Sequence, residues 1–329
     1  MNVLVTGGAG CLGTPLVRRL ACSDHHVRVS TLFEHEAEHL RDVVGVTINT
    51  GRLSDRELLR RICDGIDIVY HLAGKVHVKP RNREEEAEFF DVNTKGTVDL
   101  IDACRATGVR RIVFFSTVAV YGETNAATMI DETTPTNALS AYARSKLEAE
   151  QRILDQNDIE GVVLRFPVAY GPRDRGNIGR LIAAVARRRF FWVRHGANRR
   201  SLINSRNVAE AAYLAGTYER APGEIFIATD EKTATLENII AAINKALDRS
   251  WTPPNISDPI AKFSAKTGSF MESILRHELP FNCETYDKLF GSLVFSCEKS
   301  RKVLGYRANV SLEEGIAEQV NRMKSKHMI

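Results

Sequence analysis

Tyr142 and Lys146 stand four residues apart in Tyr142-Ala143-Arg144-Ser145-Lys146, a spacing that sets both on one face of a helix. An ammonium beside a phenol favours the phenolate and draws its proton affinity toward working pH. The pair can therefore give or take a proton in a step where a hydride also moves. The same spacing suits a surface helix whose lysine stretches to water, so it carries weight only in company. Upstream, Phe114-Phe115-Ser116-Thr117-Val118-Ala119-Val120-Tyr121-Gly122 closes an apolar run with the hydroxyls of Ser116 and Thr117. In an open α/β sheet, the reacting groups collect at that carboxyl edge of the strands.

The company is a glycine turn. Val3-Leu4-Val5 runs into Thr6-Gly7-Gly8-Ala9-Gly10-Cys11-Leu12-Gly13 and then into a helical pattern. Glycines permit the tight turn and let backbone N–H groups approach a pyrophosphate, while the helix N-terminus adds partial positive charge. An apolar strand before and a helix after separate a dinucleotide seat from an ordinary glycine-rich turn. Gly7, Gly10, Cys11, Leu12 and Gly13 are its contacts. Such a seat usually ends its second strand on a carboxylate for the adenosine ribose hydroxyls. Thr31 holds that place here, in Val29-Ser30-Thr31-Leu32-Phe33. Glu34 and Glu36 lie just beyond and would repel a 2′-phosphate if they face the site. Arg52, followed by Leu53 after the third strand, would accept that phosphate or stack on adenine. NAD and NADP both stand open as the cofactor.

The elements that position these residues alternate along the first half of the chain. Strands are expected at Asn2–Thr6, Val27–Leu32, Gly45–Thr50, Ile66–His71, Arg111–Ser116 and Gly161–Arg165, with helices at Leu12–Ala21, Asp55–Cys63, Glu84–Thr107 and Ala141–Asn157. That alternation predicts an α/β fold, a Rossmann doubly wound parallel sheet with right-handed crossovers. Residues 1–165 form the dinucleotide-binding domain and 166–329 a smaller, interleaved substrate-binding lobe. Strands near 202–205 and 224–228 return to complete the sheet. Pro253, Pro254 and Pro259 open an irregular section before two short closing helices.

Composition narrows the class further. The chain has 329 residues, 43% of them hydrophobic, and a formal net charge of +4. No stretch approaches the roughly 18 apolar residues of a membrane span, and the apolar start is too short for a signal peptide. The six cysteines (Cys11, Cys22, Cys63, Cys104, Cys283, Cys297) are scattered, which predicts neither a disulfide framework nor a metal site and suits a reducing cytoplasm. Arg173, Arg175, Arg180, Arg187, Arg188, Arg189, Arg194, Arg199, Arg200 and Arg206 stand against a single acid, Asp174. Part of this run reads as a solvated basic face and part as a pocket for an anion. No nucleic-acid module accompanies the charge, so nucleic acid is not the expected partner.

Taken in order, further motifs join these: His71-Leu72-Ala73-Gly74, Asn93-Thr94-Lys95-Gly96-Thr97, Arg165-Phe166-Pro167, Tyr170-Gly171-Pro172, Asn207-Val208-Ala209-Glu210-Ala211 and Leu304-Gly305-Tyr306. With the glycine turn, Thr117, Tyr142 and Lys146, the chain resembles the extended short-chain dehydrogenase/reductase superfamily over nearly its whole length. Within it, the likeness is to the NAD-dependent epimerase/dehydratase family acting on nucleotide sugars. The resemblance implies that Tyr142 is the general acid/base and that Lys146 lowers its pKa and holds the nicotinamide ribose. Thr117 would hydrogen-bond the reacting oxygen. Leu72, Ala73, Gly74, Ser116 and Pro167 would line the cofactor. Asn93 would stand near the nicotinamide, or serve as a helix-packing amide, and His71 would be buried at a strand end. Two departures matter. Val118-Ala119 replaces the Asp-Glu pair of the 4,6-dehydratases, which argues against dehydration. Val168 stands where many nucleotide-sugar members carry an asparagine near the substrate diphosphate.

Gly196-Ala197-Asn198-Arg199-Arg200-Ser201-Leu202-Ile203 resembles the family stretch in which an arginine grips the diphosphate. Arginine's planar fork suits phosphate oxygens, and Arg200 is the first choice, Arg199 the second. A polar loop tip is the plainer alternative for both. Asn177 would reach the substrate from the start of the arginine-rich helix. The resemblance thus implies an NAD(P)-dependent oxidoreductase or epimerase acting at C4 of a nucleoside-diphosphate sugar, with UDP favoured. A hydroxysteroid- or flavonoid-type alcohol dehydrogenase is the second reading, and a non-enzymatic dinucleotide sensor the third. It also implies a homodimer through the helices 84–107 and 141–157. Leu147, Ile153 and Leu154 would line that interface or else pack on the sheet.

Overall fold

The computed structural model describes residues 1–76, 80–122, 129–174, 176–275, 286 and 291–329. Among the sequence readings, Arg175 and Cys283 fall outside them. Six strands build the first half: β1 (Asn2–Thr6), β2 (His26–Thr31), β3 (Val46–Thr50), β4 (Ile68–His71), β5 (Arg111–Thr117) and β6 (Glu160–Phe166). They lie in the order β3-β2-β1-β4-β5-β6, all parallel, and Ile225–Ile227 adds a seventh beside β6. The reversal of strand order beside β1 opens a crevice over the carboxyl edge, where the glycine turn begins.

Side chains alternate across β1, and both faces are buried, as a central parallel strand requires. Val3 and Val5 pack with Leu16, Val17 and Leu20 of α1 (Gly13–Ala21). Leu4 packs on the other face with Leu58 and Ile62 of α2 (Arg56–Cys63). The expected helix 84–107 is three pieces: α3 (Arg83–Phe89), a π-helical turn (Phe90–Lys95) and α4 (Gly96–Thr107). The wider turn is where Asn93 enters the interior, and π-bulges of this kind often mark functional sites. The next helix, α5 (Ala141–Leu154), ends three residues short of expectation. Its Ile153 and Leu154 pack in the sheet core with Leu4 and Val163, while Leu147 packs against Tyr121. Within the chain, Ile153 and Leu154 of that stripe thus pack on the sheet.

Beyond β6 the chain leaves the sheet. Pro167 has no N–H to extend the ladder, and β7 (Val168–Tyr170) sets off in a separate pair. After α6 (Asn177–Ala186) come the short strands β8 (Trp192–Val193), β9 (Arg199–Arg200) and β10 (Leu202–Asn204). The expectation that 202–205 rejoins the main sheet is corrected here: β10 pairs in parallel with β7. Buried Asp230 explains the mooring. It accepts the backbone N–H of Asn204 at 2.9 Å, the Asn207 amide at 2.7 Å and the Tyr170 hydroxyl at 2.9 Å. Asn207 lies on α7 (Ser205–Thr217), the helix packed beside α1. The strand expected near 224–228 does complete the sheet, as β11 (Ile225–Ile227).

A second core joins α6 to α8 (Leu236–Ala246) and the helix Leu312–Ser325, through Ile182, Val185, Ile240, Ile243, Ile316 and Val320. Two small pairs edge this lobe, β9 with β12 (Ala234–Thr235) and β8 with β13 (Asn255–Ile256). The section expected to be irregular contains α9 (Asp258–Leu275). Pro259 stands in its first turn, where a missing N–H costs nothing.

Candidate active site at the carboxyl edge of the sheet

The glycine turn is closed by its own backbone. The Gly7 N–H donates to the Ser30 carbonyl at 2.7 Å, Gly10 to Gly7 at 3.1 Å, and Thr14 to Gly10 at 3.1 Å. Gly7 has a left-handed φ of 69°, and a methyl there would stand 2.9 Å from the Ala73 nitrogen. At Gly13 a methyl would lie 2.5 Å from the Gly7 carbonyl oxygen. Both positions need glycine for the turn to close against the neighbouring strand end. Gly10 is exposed at the mouth of the turn, and Cys11 is half-buried with its thiol pushed up to about 12, mainly by burial. Leu12 packs on the core below. The exposed turn at the head of α1 fits a dinucleotide pyrophosphate.

Behind the turn, a chain of hydroxyls ties three elements together. The Thr6 hydroxyl meets His71 Nδ1 at 2.7 Å and receives the Ala73 N–H at 3.2 Å. His71 Nε2 lies 3.0 Å from the Thr97 hydroxyl. Burial, with Lys146 nearby, draws the His71 imidazole down to about 3, so it is neutral at any ordinary pH. His71 is buried at the strand end, as expected, and fixes the segment Leu72-Ala73-Gly74.

Asn93 resolves toward packing. Its oxygen accepts the Lys75 N–H at 2.7 Å, and its amide donates to the Lys75 carbonyl at 3.1 Å and the Ser145 hydroxyl at 2.9 Å. A methyl at Gly74 would stand 2.9 Å from that oxygen. Asn93 therefore clamps the loop after β4 to α5, one residue from Lys146, and its polar atoms are engaged in doing so.

Thr117 ends β5 and Tyr142 begins α5, which Ser140 caps by accepting the Ala143 N–H at 3.1 Å. The Thr117 hydroxyl lies near enough to the Tyr142 phenol to influence its proton affinity. The Thr117 oxygen also accepts the Ala119 N–H at 3.1 Å, which fixes it at the strand end. Burial pushes the Tyr142 phenol up to about 12, and the Thr117 hydroxyl opposes that rise. Lys146 lies one helical turn along, its Nζ 3.9 Å from the centre of the Phe114 ring. Burial draws Lys146 down to about 7 against the opposing pull of Glu150. Lys146 stands on the same helix face as Tyr142, its ammonium over the Phe114 ring.

The sequence reading missed what stands behind this face. Glu150, four residues after Lys146, is buried and accepts the Ser116 hydroxyl. The Arg165 guanidinium grips it from β6, Nη2 to Oε2 at 2.5 Å and Nε to Oε1 at 3.0 Å. Arg165 also donates to the Tyr121 hydroxyl at 2.8 Å. Ser116, expected to line the cofactor, has its hydroxyl turned inward to this pair. The sequence signal was there in the Lys146-to-Glu150 spacing on one helix face and in Arg165 within an otherwise apolar strand.

The remaining residues divide. Thr31 is buried at the end of β2 and donates to Glu36 at 2.6 Å. Arg52 is exposed, and Leu53 packs against Gly96, a methyl at which would lie 3.0 Å from its Cβ. Pro167 is buried where β6 breaks. Asn177 is exposed at the head of α6 and accepts from Arg180 at 2.8 Å. Arg200, on β9, is half-buried, and desolvation draws its guanidinium down to about 10; Arg199 beside it is exposed. The arginine run does not form one pocket. Arg206 is held by Glu314 and Glu318, and Arg187 bonds the Met328 carbonyl. Among the described residues no cluster of His, Cys, Asp or Glu is arranged to hold a metal ion. No helix among them is long and apolar enough to cross a membrane.

A parallel sheet in this strand order, a glycine-closed turn and a hydroxyl–phenol–ammonium constellation define a dinucleotide-dependent oxidoreductase. The profile of the NAD dependent epimerase/dehydratase family matches residues 3–228, and the chain belongs to that family. NAD, the cofactor in the family's description, is thus the dinucleotide of this seat. The chain is 29% identical over 328 residues to a 4-hydroxy-2-methyl-3-oxo-4-farnesyl-3,4-dihydroquinoline-1-oxide ketoreductase of Stigmatella aurantiaca, covering 96% of this chain and 95% of the other. It is 25% identical to the UDP-glucose 4-epimerase of Vibrio cholerae, covering 95% and 93%. The solved UDP-glucuronic acid 4-epimerase of Bacillus cereus, in complex with NAD, superimposes with a TM-score of 0.80 at 21% identity, covering 99% and 100%.

Proposed function

We propose that the protein catalyses reversible oxidoreduction at a sugar hydroxyl or keto carbon, at C4, of a nucleoside-diphosphate sugar, as a 4-ketoreductase or 4-epimerase. The observation that carries the chemistry is the meeting of Thr117, at the end of β5, with Tyr142 on α5, and with Lys146 one helical turn along. Bound at the glycine turn, NAD supplies the hydride acceptor or donor. Tyr142 gives the proton to, or takes it from, the reacting oxygen, which Thr117 holds by a hydrogen bond. A phenol held near 12 is protonated at neutral pH and so is ready to act as the acid toward a carbonyl. Lys146 lies on the same helix face, placed to hold the ribose and to favour the phenolate when the step runs the other way. Val118 and Ala119 offer no second acid or base, so elimination of water has no support here.

Arg200 supports the anionic substrate. A guanidinium half-buried on β9 has the charge and planar fork that suit a diphosphate, with Arg199 second and Asn177 from α6. Calorimetry with UDP tests this reading directly: binding is expected, and absence of any UDP or dTDP binding overturns it. A screen of UDP-, dTDP- and GDP-sugars by absorbance of the reduced cofactor then separates a reductase, which shows net change, from an epimerase, which shows product without it.

A second reading, reduction of a ketone without a nucleotide, is favoured by the 29% identity to the Stigmatella ketoreductase and by Val168 on β7 in place of an amide. We further propose a homodimer in a cytoplasmic setting. A groove of about 650 Å³ beside α4 and α5, lined by Phe90 and Val98 among charged side chains such as Lys95, Glu148 and Arg152, would take the partner; light scattering checks it.

A further inference from the structure

The end of β2 carries a threonine where a ribose-binding carboxylate belongs, yet a carboxylate stands there. Glu36 comes from the following 3-10 helix (Glu34–Leu40) and folds back. Its Oε2 accepts the Thr31 hydroxyl at 2.6 Å and the Phe33 N–H at 3.3 Å. Thr31 follows Ser30, whose carbonyl receives the Gly7 N–H, so this strand end touches the glycine turn itself. Two of the nearby cations are engaged elsewhere: Arg41 pairs with Glu34, and Arg18 donates to the His39 carbonyl at 3.4 Å. Among the described residues no cation pairs with Glu36. Leu32 and Phe33, exposed by 45% and 52%, flank the same point, with the Phe33 and His35 rings stacked at 5.7 Å. An exposed phenylalanine ring and an aliphatic side chain beside a tethered carboxylate suit a purine nucleoside.

We propose that Glu36, tethered by Thr31, selects NAD against NADP. Its carboxylate accepts the adenosine ribose hydroxyls and repels a 2′-phosphate, which carries the same charge. Thr31 positions it. The rival is Arg52, exposed just after Gly51, whose N–H donates to the Thr31 carbonyl at 3.0 Å. Both groups therefore flank the one strand end, and they select opposite cofactors. The proposal rests on the dinucleotide seat and not on the sugar, so loss of UDP binding with dinucleotide binding retained breaks only the substrate reading.

The test is calorimetric titration of the full-length protein, stripped of any retained dinucleotide, with NAD and with NADP. Wild type is expected to bind NAD at least about tenfold more tightly. Glu36→Gln, which keeps the shape and removes the charge, should shrink that ratio about tenfold, chiefly by tightening NADP. Thr31→Val should shrink it less, and Arg52→Ala should leave it in place. Equal or tighter binding of NADP by wild type overturns the proposal, as does an unchanged ratio in a Glu36→Gln protein whose circular dichroism matches wild type. Binding of neither dinucleotide overturns it together with the seat.

Discussion

The catalytic edge and the substrate lobe are built on opposite plans. At the edge, Thr117, Tyr142 and Lys146 come from two adjacent elements and are backed by buried polar groups that hold one another: Glu150 with Arg165 and Ser116, Asn93 with Lys75 and Ser145. In the lobe, Arg199 and Arg200 sit on a two-residue strand paired with another of two residues, and Asn177 stands alone at the head of a helix. One region fixes its side chains before any ligand arrives. The other leaves substrate contacts on short elements that a change of sequence can re-aim. Chemistry shared by a whole family belongs on the first kind of frame, and choice of substrate on the second.

The sharpest way to break this contrast is at the edge. Tyr142→Phe removes the proton donor while leaving the ring packed at 6.3 Å from Phe89. Turnover should fall about 10²–10⁴-fold with NAD binding little changed, measured by steady-state kinetics and calorimetry. Unchanged turnover would remove Tyr142 from the mechanism. Glu150→Ala attacks the frame itself. It leaves the Arg165 guanidinium buried without its carboxylate, and loss of one member of a buried pair costs about 3–5 kcal/mol. Urea unfolding should show that loss, whereas Arg206→Ala, which breaks an exposed pair in the lobe, should cost less than about 1 kcal/mol. Similar losses in the two variants would erase the difference between the regions.

Much of the edge was legible because its constraints are local. The glycine turn, the Tyr142–Lys146 spacing and the hydroxyls ending β5 each lie within a short run, and strand–helix alternation supplied the sheet that joins them. What escaped depended on partners far away in the chain. The Glu150–Arg165 pair spans two elements, and Ser116 turned inward because that pair was there to receive it. The π-helical turn at Phe90–Lys95 follows from a loop near Lys75 that Asn93 must reach. In the lobe, β10 pairs with β7 because Asp230 ties Asn204 and Tyr170 together, a contact across more than one element that no periodicity announces. The arginine run shows the same dependence on distant partners. Ten cations close in sequence divided between a solvated face and an anion pocket only by their partners: Arg187 bonds a backbone carbonyl near the chain end, and Arg206 two glutamates.

The lobe is next. Arg200→Ala should weaken UDP binding about tenfold to a hundredfold, the worth of a charge-assisted hydrogen bond or two, and leave NAD binding intact. Arg199→Ala, at an exposed position, should do less. If Arg200→Ala instead abolishes NAD binding, the two regions are not separable in the way their construction suggests.

The smallest effect distinguishes the frame by pH. His71 is held neutral between the Thr6 and Thr97 hydroxyls, its folded pKa drawn from 6.5 down to about 3. Between those values the unfolded chain binds a proton that the folded one does not, so stability falls as pH drops below about 6.5 and stops falling near 3. The slope for one such group reaches at most about 1.4 kcal/mol per pH unit. Urea unfolding of wild type and His71→Asn across this window should give a steeper acid decline in wild type, by up to that slope. The sign is fixed by burial: a histidine that gained an acidic partner on folding would lose stability as pH rises instead. Parallel declines in the two proteins would mean that His71 titrates alike folded and unfolded, and that the strand end behind the glycine turn is open to water.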